Sequence, residues 1–312
     1  MYNIDTLDSE KIYDMIIIGT GPSGLGCAIY AARFAMDILV IGNIYGGLIT
    51  TTHIVENYPG IPSTTGPNLM EDFRDHLNSL NIPYLIDEIR SVKKENDWFE
   101  LRSFFNTFKA KTICIATGSD HKKLNILGEN EFGGRGVSYC ATCDGPFFKD
   151  KIVAVIGGSD SAAKEALYLT QHAKKVYIIY RKDEIRAEPI NKQRVLENEK
   201  IEIIYNTNLK EIKGDEKVNS IIFENGKEFN VNGVFIEIGS IPNSKLAKQI
   251  GVTTNKKDEI LINKRSETNI PGVFAAGDVA DAYFKQAITG VAEGVIAAYS
   301  AFDFLNKKKI IY

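Results

Sequence analysis

Short apolar runs that stop at glycine alternate with alanine-rich stretches, and the alternation occurs twice along the chain. Residues 13–18, Tyr-Asp-Met-Ile-Ile-Ile, are continuous and rich in β-branched side chains, which predicts a buried strand ending at Gly19. The alanine-rich stretch 25–33 predicts a helix and 38–41 a second strand, completing a βαβ unit. The same order returns at 152–156, 161–172 and 176–180. Two such units far apart predict two dinucleotide-binding domains rather than a stacked solenoid.

Antiparallel material follows each unit. Residues 220–224 and 227–231 flank Asn225-Gly226, a strong hairpin signal because both turn positions need positive φ. Residues 91–94 and 98–102 flank Glu95-Asn96-Asp97, a weaker version. In each half a strand then runs into a glycine, 112–116 before Thr117-Gly118 and 234–238 before Gly239. The segment Gly272-Val-Phe-Ala-Ala-Gly-Asp278 is again strand then glycine, followed by a helix over 287–305, with no third βαβ unit. This tail is therefore expected to complete the first domain. The prediction is an α/β fold of two Rossmann-like domains, each a parallel βαβ core with a small β-meander, the second inserted into the first. Residues 1–120 and 243–312 would form one domain and 121–242 the other. Two short connections, near 119–122 and 240–243, would make a hinge.

Bulk properties narrow the chemistry. A chain of 312 residues suits two domains, and 44% hydrophobic with 25% charged residues is ordinary for a globular protein. A net charge of −3 offers no positive field for nucleic acid. The run Lys307-Lys308-Lys309 reads as a solvated tail. The start, MYNIDTLDSEKIYD, lacks a basic, then apolar leader pattern, and no run approaches the ~20 apolar residues of a membrane span, so a cytoplasmic location is expected. Four cysteines are too few for a secreted disulfide scaffold; Cys27 and Cys114 lie in apolar stretches and read as core.

Gly19-Thr20-Gly21-Pro22-Ser23-Gly24 is a full GxGxxG between strand and helix. Its glycines permit a tight turn and close backbone approach to a pyrophosphate, which the helix N-terminus then receives. The second turn, Gly157-Gly158-Ser159-Asp160-Ser161-Ala162, has serine where the pattern wants its second glycine. The following strand ends not in the acid that holds an NAD ribose but in Tyr180-Arg181-Lys182, with Arg186 beyond. Those cations suit a 2′-phosphate and favour NADPH over NADH; a solvated basic turn is the plainer alternative.

Cys140-Ala141-Thr142-Cys143-Asp144 contains a CxxC. Structural zinc would need a second pair of ligands, and the histidines are scattered at 53, 76, 121 and 172. Beside βαβ units the pair reads as a dithiol–disulfide couple, activated if it opens a helix. Asp144 could move protons to and from the thiolates, or be an ordinary acid of a helix's first turn.

With these motifs in order, the chain resembles the low-molecular-weight thioredoxin reductases, the FAD-dependent pyridine nucleotide-disulfide oxidoreductases of class II. The resemblance runs from GTGPSG through Gly46-Gly47, Val55-Glu56-Asn57-Tyr58-Pro59-Gly60 and Ala116-Thr117-Gly118 to Gly134-Arg135-Gly136-Val137-Ser138 and CATCD. It ends at Gly277-Asp278-Val279 and Gln286-Ala287. It implies an FAD in the first domain. Gly19, Gly21, Pro22 and Ser23 would hold the pyrophosphate, and residues 41–48, with Gly42, Gly46, Gly47 and Leu48, the adenosine side. Asn57, Gly118, Gly277, Asp278, Lys285, Gln286 and Ala287 would lie along the ribityl chain and isoalloxazine. It implies NADPH on Gly157, Ser159, Asp160, Ser161, Arg181, Lys182, Arg186 and Gly239, a homodimer, and domains that rotate to present the flavin first to nicotinamide and then to the disulfide. By the same similarity Cys143 faces the flavin, Cys140 attacks the disulfide of thioredoxin or a thioredoxin-like protein, and Asp144 is their acid–base partner.

The chain departs from the family pattern at four places. Leu48 stands for a glutamine, Lys285 for an arginine, Ser159 for a glycine, and Tyr180-Arg181-Lys182 for His-Arg-Arg. These bear on the electron donor more than on the dithiol chemistry. Relatives fed by ferredoxin have lost the nucleotide site more completely. NADH or ferredoxin as donor, the reductase subunit of a peroxide-removing system, and a non-turnover redox sensor are the competing expectations.

Overall fold

A computed structural model describes residues 11–310. The start of the chain through residue 10, on which the leader expectation rested, and the side chains of Lys308 and Lys309 lie outside the described residues. The chain divides into two compact units, one of the described residues up to Asp120 and from Ile241 onward, the other His121–Ser240.

In the first unit the sheet order is Tyr84–Ile86, Ile38–Gly42, Ile12–Ile18, Thr107–Ile115, Phe99–Arg102, Ser91–Lys94. The first four strands are mutually parallel and the last two add on antiparallel. The nine-residue strand Thr107–Ile115 has two characters. Its first half alternates exposed and buried positions, pairing Ala110 with Phe99 antiparallel. Its second half is buried on both faces and pairs Ile113 with Val273 in parallel. That shift from alternation to a continuous apolar run is what a strand passing from a one-sided to a two-sided environment requires.

Helix Pro22–Arg33 covers one face of this sheet together with the last helix, Ala287–Ile310. The stretch Ala287–Lys307, with mean hydropathy 1.3, is long and apolar enough by composition to cross a membrane, which the sequence pattern did not suggest because glycines and alanines break up its large side chains. Those small residues have a packing role here. A Cβ on Gly26 would meet Val291 at 3.0 Å, and one on Gly294 would lie 2.1 Å from the Ser23 carbonyl oxygen.

The second unit holds a parallel sheet in the order Ile201–Ile204, Lys175–Ile179, Ile152–Ile156, Gly233–Ile236, Val137–Ser138. An antiparallel meander of Leu209–Gly214, Val218–Phe223 and Glu228–Asn230 lies beside it. The segments Ser119–His121 and Ser240–Pro242 pair as a two-stranded ribbon.

Several boundaries differ from the sequence pattern. The first helix starts at Pro22, not Leu25, and the helix expected over 161–172 is Asp160–Leu169. Proline at the first helical position and a free N-terminus extend the first element beyond its apolar stripe. The helices Gly66–Ser79 and Pro189–Glu197 were not anticipated. The former is polar but capped by Thr65, whose Oγ1 accepts from the Asn68 N–H at 3.2 Å.

Candidate active site

The first glycine turn is fixed by steric exclusion. Gly19 has φ +127°, and a Cβ there would sit 2.1 Å from the Ala116 carbonyl oxygen. A Cβ on Gly24 would sit 2.0 Å from the Gly19 carbonyl oxygen. Gly21 is the extended N-cap of the twelve-residue helix, with Pro22 next and no side-chain cap. The first N–H groups are therefore left for an outside acceptor, and the helix field favours an anion there. Thr20 joins this turn to the 42–47 loop: its Oγ1 donates to the Ile44 carbonyl at 2.8 Å and its carbonyl accepts from the Gly46 N–H at 2.8 Å. Gly42 leaves room for that hydroxyl, which would be 2.5 Å from a Cβ. Gly46 and Gly47 both have positive φ and lead into the turn Gly47–Thr51, with Leu48 exposed on it. Such a cradle of open N–H groups and excluded side chains fits a dinucleotide pyrophosphate.

Residues remote in sequence converge around it. The Ser23 hydroxyl lies against Gly277 and Gly290. Asn57 Nδ2 donates to Gln286 Oε1 at 3.0 Å, tying the 56–62 cleft of about 390 Å³ to the start of the last helix. Lys285 Nζ binds Glu259 Oε1 at 2.6 Å and the Asp278 carbonyl at 2.9 Å. Burial would raise the Glu259 carboxyl, but hydrogen bonds from Lys285 and Asn255 outweigh it and leave it lowered. Burial raises the Asp278 carboxyl despite the Lys285 charge. Glu293, likewise raised by burial, accepts the Gly277 N–H at 2.8 Å. Neither Glu259 nor Glu293 stood out in the sequence; an acid set among the apolar residues 287–302 was the signal for Glu293. Gly118 has φ +64° with nothing near its Cβ position, and Ala287 opens the last helix.

In the second unit Gly157 has φ +153°, and a Cβ would lie 2.1 Å from the Glu237 carbonyl oxygen. A Cβ on Gly158 would enter the Tyr180 ring at 2.5 Å. Ser159 has φ −87° as the N-cap of Asp160–Leu169 and makes no side-chain cap bond, so a side chain is sterically welcome where the pattern wants glycine. Asp160 faces inward: it accepts from the Glu188 N–H and Asn191 Nδ2, each at 2.9 Å, and pairs with Lys164 at 2.8 Å. Burial opposes its charge, yet these partners leave it lowered. Arg186 donates from its backbone to the Gly158 carbonyl at 2.6 Å and from Nε to the Tyr180 hydroxyl at 3.1 Å, bringing it beside the turn. Arg181, Lys182 and Ser161 are exposed, and Gly239 has φ +106° with open space at its Cβ position. An open helix N-terminus with cations at the strand end fits a nucleotide phosphate.

Cys140 and Cys143 form a disulfide with Cα atoms 5.4 Å apart. Cys140 is the extended N-cap of the short helix Ala141–Asp144, and its Sγ accepts the Cys143 N–H at 3.1 Å. Ser138 fixes Cys140 from the other side, its Oγ accepting the Cys140 N–H at 3.0 Å. The Ala141 N–H is held by Glu165 Oε1 at 3.0 Å. Cys143 is exposed, and Asp144 completes the same turn, its N–H on the Cys140 carbonyl at 3.2 Å. Cys27 and Cys114 are fully buried, and burial pushes the Cys27 thiol well up, so neither is placed to compete.

Residues 13–294 match the family model described as pyridine nucleotide-disulphide oxidoreductase. A thioredoxin reductase of Bacillus subtilis is 40% identical over 308 residues, 96% of this chain and 97% of that one. The crystal structure of Lactococcus lactis thioredoxin reductase superposes with a TM-score of 0.92 at 39% identity, covering 95% and 99% of the two chains. A ferredoxin-flavin thioredoxin reductase from Clostridium acetobutylicum is 34% identical over 96% of this chain and 99% of that one, with a TM-score of 0.54.

Proposed function

The chain belongs to the pyridine nucleotide-disulphide oxidoreductase family, and from that premise we propose that it is a thioredoxin-disulfide reductase driven by NADPH through FAD. The observation that carries this reading is the Cys140–Cys143 disulfide on a short helix with Cys143 exposed, in a chain that also bears the open glycine turn at Gly19. The unit up to Asp120 and from Ile241 onward would bind FAD, and the unit 121–240 would bind NADPH. When bound, FAD accepts a hydride equivalent from NADPH and passes the electron pair to a disulfide.

The chain's own residues do the rest. Cys143, the exposed sulfur, receives the electrons, which opens the disulfide and leaves two thiols after proton uptake. Cys140, whose Sγ is steadied by the Cys143 N–H, is the thiolate that attacks the partner's disulfide. A mixed disulfide forms as one partner sulfur leaves. Cys143 then attacks Cys140, restoring the pair and releasing the partner as a dithiol. Asp144 gives and takes the protons of these steps. The partner is thioredoxin or a similar small dithiol protein, and the protein works as a cytoplasmic homodimer.

Ser159, and the commitment of Asp160 to Lys164, Asn191 and Glu188, support a second reading in which ferredoxin or NADH is the donor. Anaerobic titration with NADPH, NADH and reduced ferredoxin, following flavin bleaching, decides between them. NADPH is expected to bleach the flavin stoichiometrically; bleaching by ferredoxin alone overturns the choice of donor. A folded protein that stays colourless with added FAD overturns the whole reading.

A further inference from the structure

The cations beyond the strand Lys175–Ile179 carry charge that the fold does not use. Arg181, Lys182 and Arg186 are exposed, and among the described residues no acid pairs with them. Glu184 is taken by Lys192, and Asp160 by Lys164. Arg186 is nevertheless held at two points. Its N–H donates to the Gly158 carbonyl at 2.6 Å and it forms a parallel bridge with Ser159, which fixes its backbone against the glycine turn. Its Nε donates to the Tyr180 hydroxyl at 3.1 Å.

Tyr180 is a rigid support for that bond. Its N–H donates to the Ile204 carbonyl at 2.9 Å, and its own carbonyl accepts the Thr207 N–H at 3.1 Å. The residue is 6% exposed and belongs to the core cluster of Val155, Ile178 and Ile185. Its ring fills the space that a Cβ on Gly158 would need. One side chain therefore floors the turn and reaches Arg186. A guanidinium presents five N–H groups in a planar fork. With Nε engaged, the edge left over is Nη1–Nη2, which matches two oxygens of a phosphate. A phenol oxygen orients this fork without cancelling its charge, as a carboxylate in the same place would. An arginine already fixed at Nε also has less freedom to lose when an anion arrives.

We propose that Tyr180 is a positioning residue for donor specificity, holding Arg186 by Nε so that the Nη1–Nη2 edge is the one offered to a 2′-phosphate beside the glycine turn. This role rests on the reading of NADPH as donor. It gives Tyr180, one of the departures from the His-Arg-Arg pattern, a function of its own. A nucleotide without the 2′-phosphate leaves the Nη edge unused, so affinity for NAD+ does not depend on the hydroxyl.

Isothermal titration calorimetry of the purified, FAD-loaded full chain with NADP+ and with NAD+ tests this without turnover. The parent is expected to prefer NADP+. Tyr180→Phe keeps the ring beneath Gly158 and removes only the hydroxyl. It is expected to weaken NADP+ binding by roughly threefold to tenfold, the net value of one hydrogen bond, and to leave NAD+ binding unchanged. Because the hydroxyl acts through Arg186, adding Tyr180→Phe to Arg186→Ala should cost nothing further. Arg186→Lys, at an exposed position that the core does not need, keeps the charge but has no fork, and should also lose preference for NADP+. The proposal is overturned if Tyr180→Phe keeps the parent's preference, weakens both nucleotides equally, or still weakens NADP+ in the Arg186→Ala background. Full preference in Arg186→Lys overturns it too, even if Tyr180→Phe fails to fold. All of these outcomes leave NADPH standing as donor. A parent that binds NAD+ as tightly as NADP+ overturns the donor reading and the proposal with it.

Discussion

Replacing Gly294 by alanine tests whether the contact between the first and last helices fixes the glycine turn. In an isolated helix the change would help, by about 1 kcal/mol of intrinsic propensity. Here the added methyl carbon would stand 2.1 Å from the Ser23 carbonyl oxygen and 3.0 Å from the Cys27 nitrogen. Both are backbone atoms in the partner helix, so relief requires the helices to separate. Overpacking of this kind costs about 1–3 kcal/mol, more where backbone must move, so the net expectation is a loss of about 1–2 kcal/mol. At about 2–4 °C per kcal/mol for a unit of this size, the melting temperature should fall by about 2–8 °C. Gly290→Ala is the control: its methyl would meet the Ser23 hydroxyl at 2.4 Å, and that side chain can rotate away. Circular dichroism melts of the three proteins make the comparison, and flavin retention on gel filtration reports the turn itself, since the displaced residue is Ser23 of GxGxxG. A Gly294→Ala protein that melts at or above the parent refutes the packing argument.

Cys143→Ser should still permit flavin reduction by the donor but abolish reduction of a dithiol partner, read by stopped-flow absorbance; retained delivery would show the cysteine roles to be wrong. Arg186→Ala should raise the KM for NADPH by about tenfold, the value of one charge-assisted hydrogen bond, and leave that for NADH nearly unchanged; equal effects would remove the 2′-phosphate role. Glu237→Gln should stabilise the protein at alkaline pH and little at acidic pH. Its folded-state carboxyl is raised by burial and the Glu165 charge, so the parent loses stability as pH climbs from the ordinary carboxylate value through the raised one. Chemical denaturation across that window measures the difference, and a gap that shrinks with rising pH contradicts the sign. Asp160 has the opposite sign, being lowered by Lys164, Asn191 and Glu188 against its burial. Asp160→Asn should therefore cost stability at neutral pH and converge on the parent as pH falls through the lowered value.

The elements legible in the sequence were those whose signal is local. The runs at 13–18 and 152–156 are strands because continuous β-branched apolar residues suit a two-sided environment, and they appear as Ile12–Ile18 and Ile152–Ile156. The Asn225-Gly226 hairpin appears with Gly226 at φ +83°. Helix Gly66–Ser79 was not legible: its largely polar residues hide the apolar stripe, and its stability comes from the Thr65 cap and the burial of Leu69, Met70 and Leu77. Nor was Glu165, since nothing in Lys-Glu-Ala-Leu says that the glutamate reaches a backbone N–H twenty-four positions earlier.

The two glycine turns began from one template and ended with different demands on their side chains. In the first, Gly19, Gly24 and Gly42 are each required by an atom that would otherwise be struck, and the helix N-terminus is left without a cap. In the second, Gly157 and Gly158 are required in the same way by Glu237 and Tyr180, but the third position has ordinary φ and takes serine without strain. The departure at Ser159 therefore alters which groups meet a phosphate while leaving the turn itself intact. Ser159→Gly should therefore leave the unfolding free energy within about 1 kcal/mol of the parent, the helix N-cap tolerating either residue, while shifting nucleotide affinity. A large loss of stability without any change in nucleotide binding would mean that the serine is there for the fold and not for the ligand.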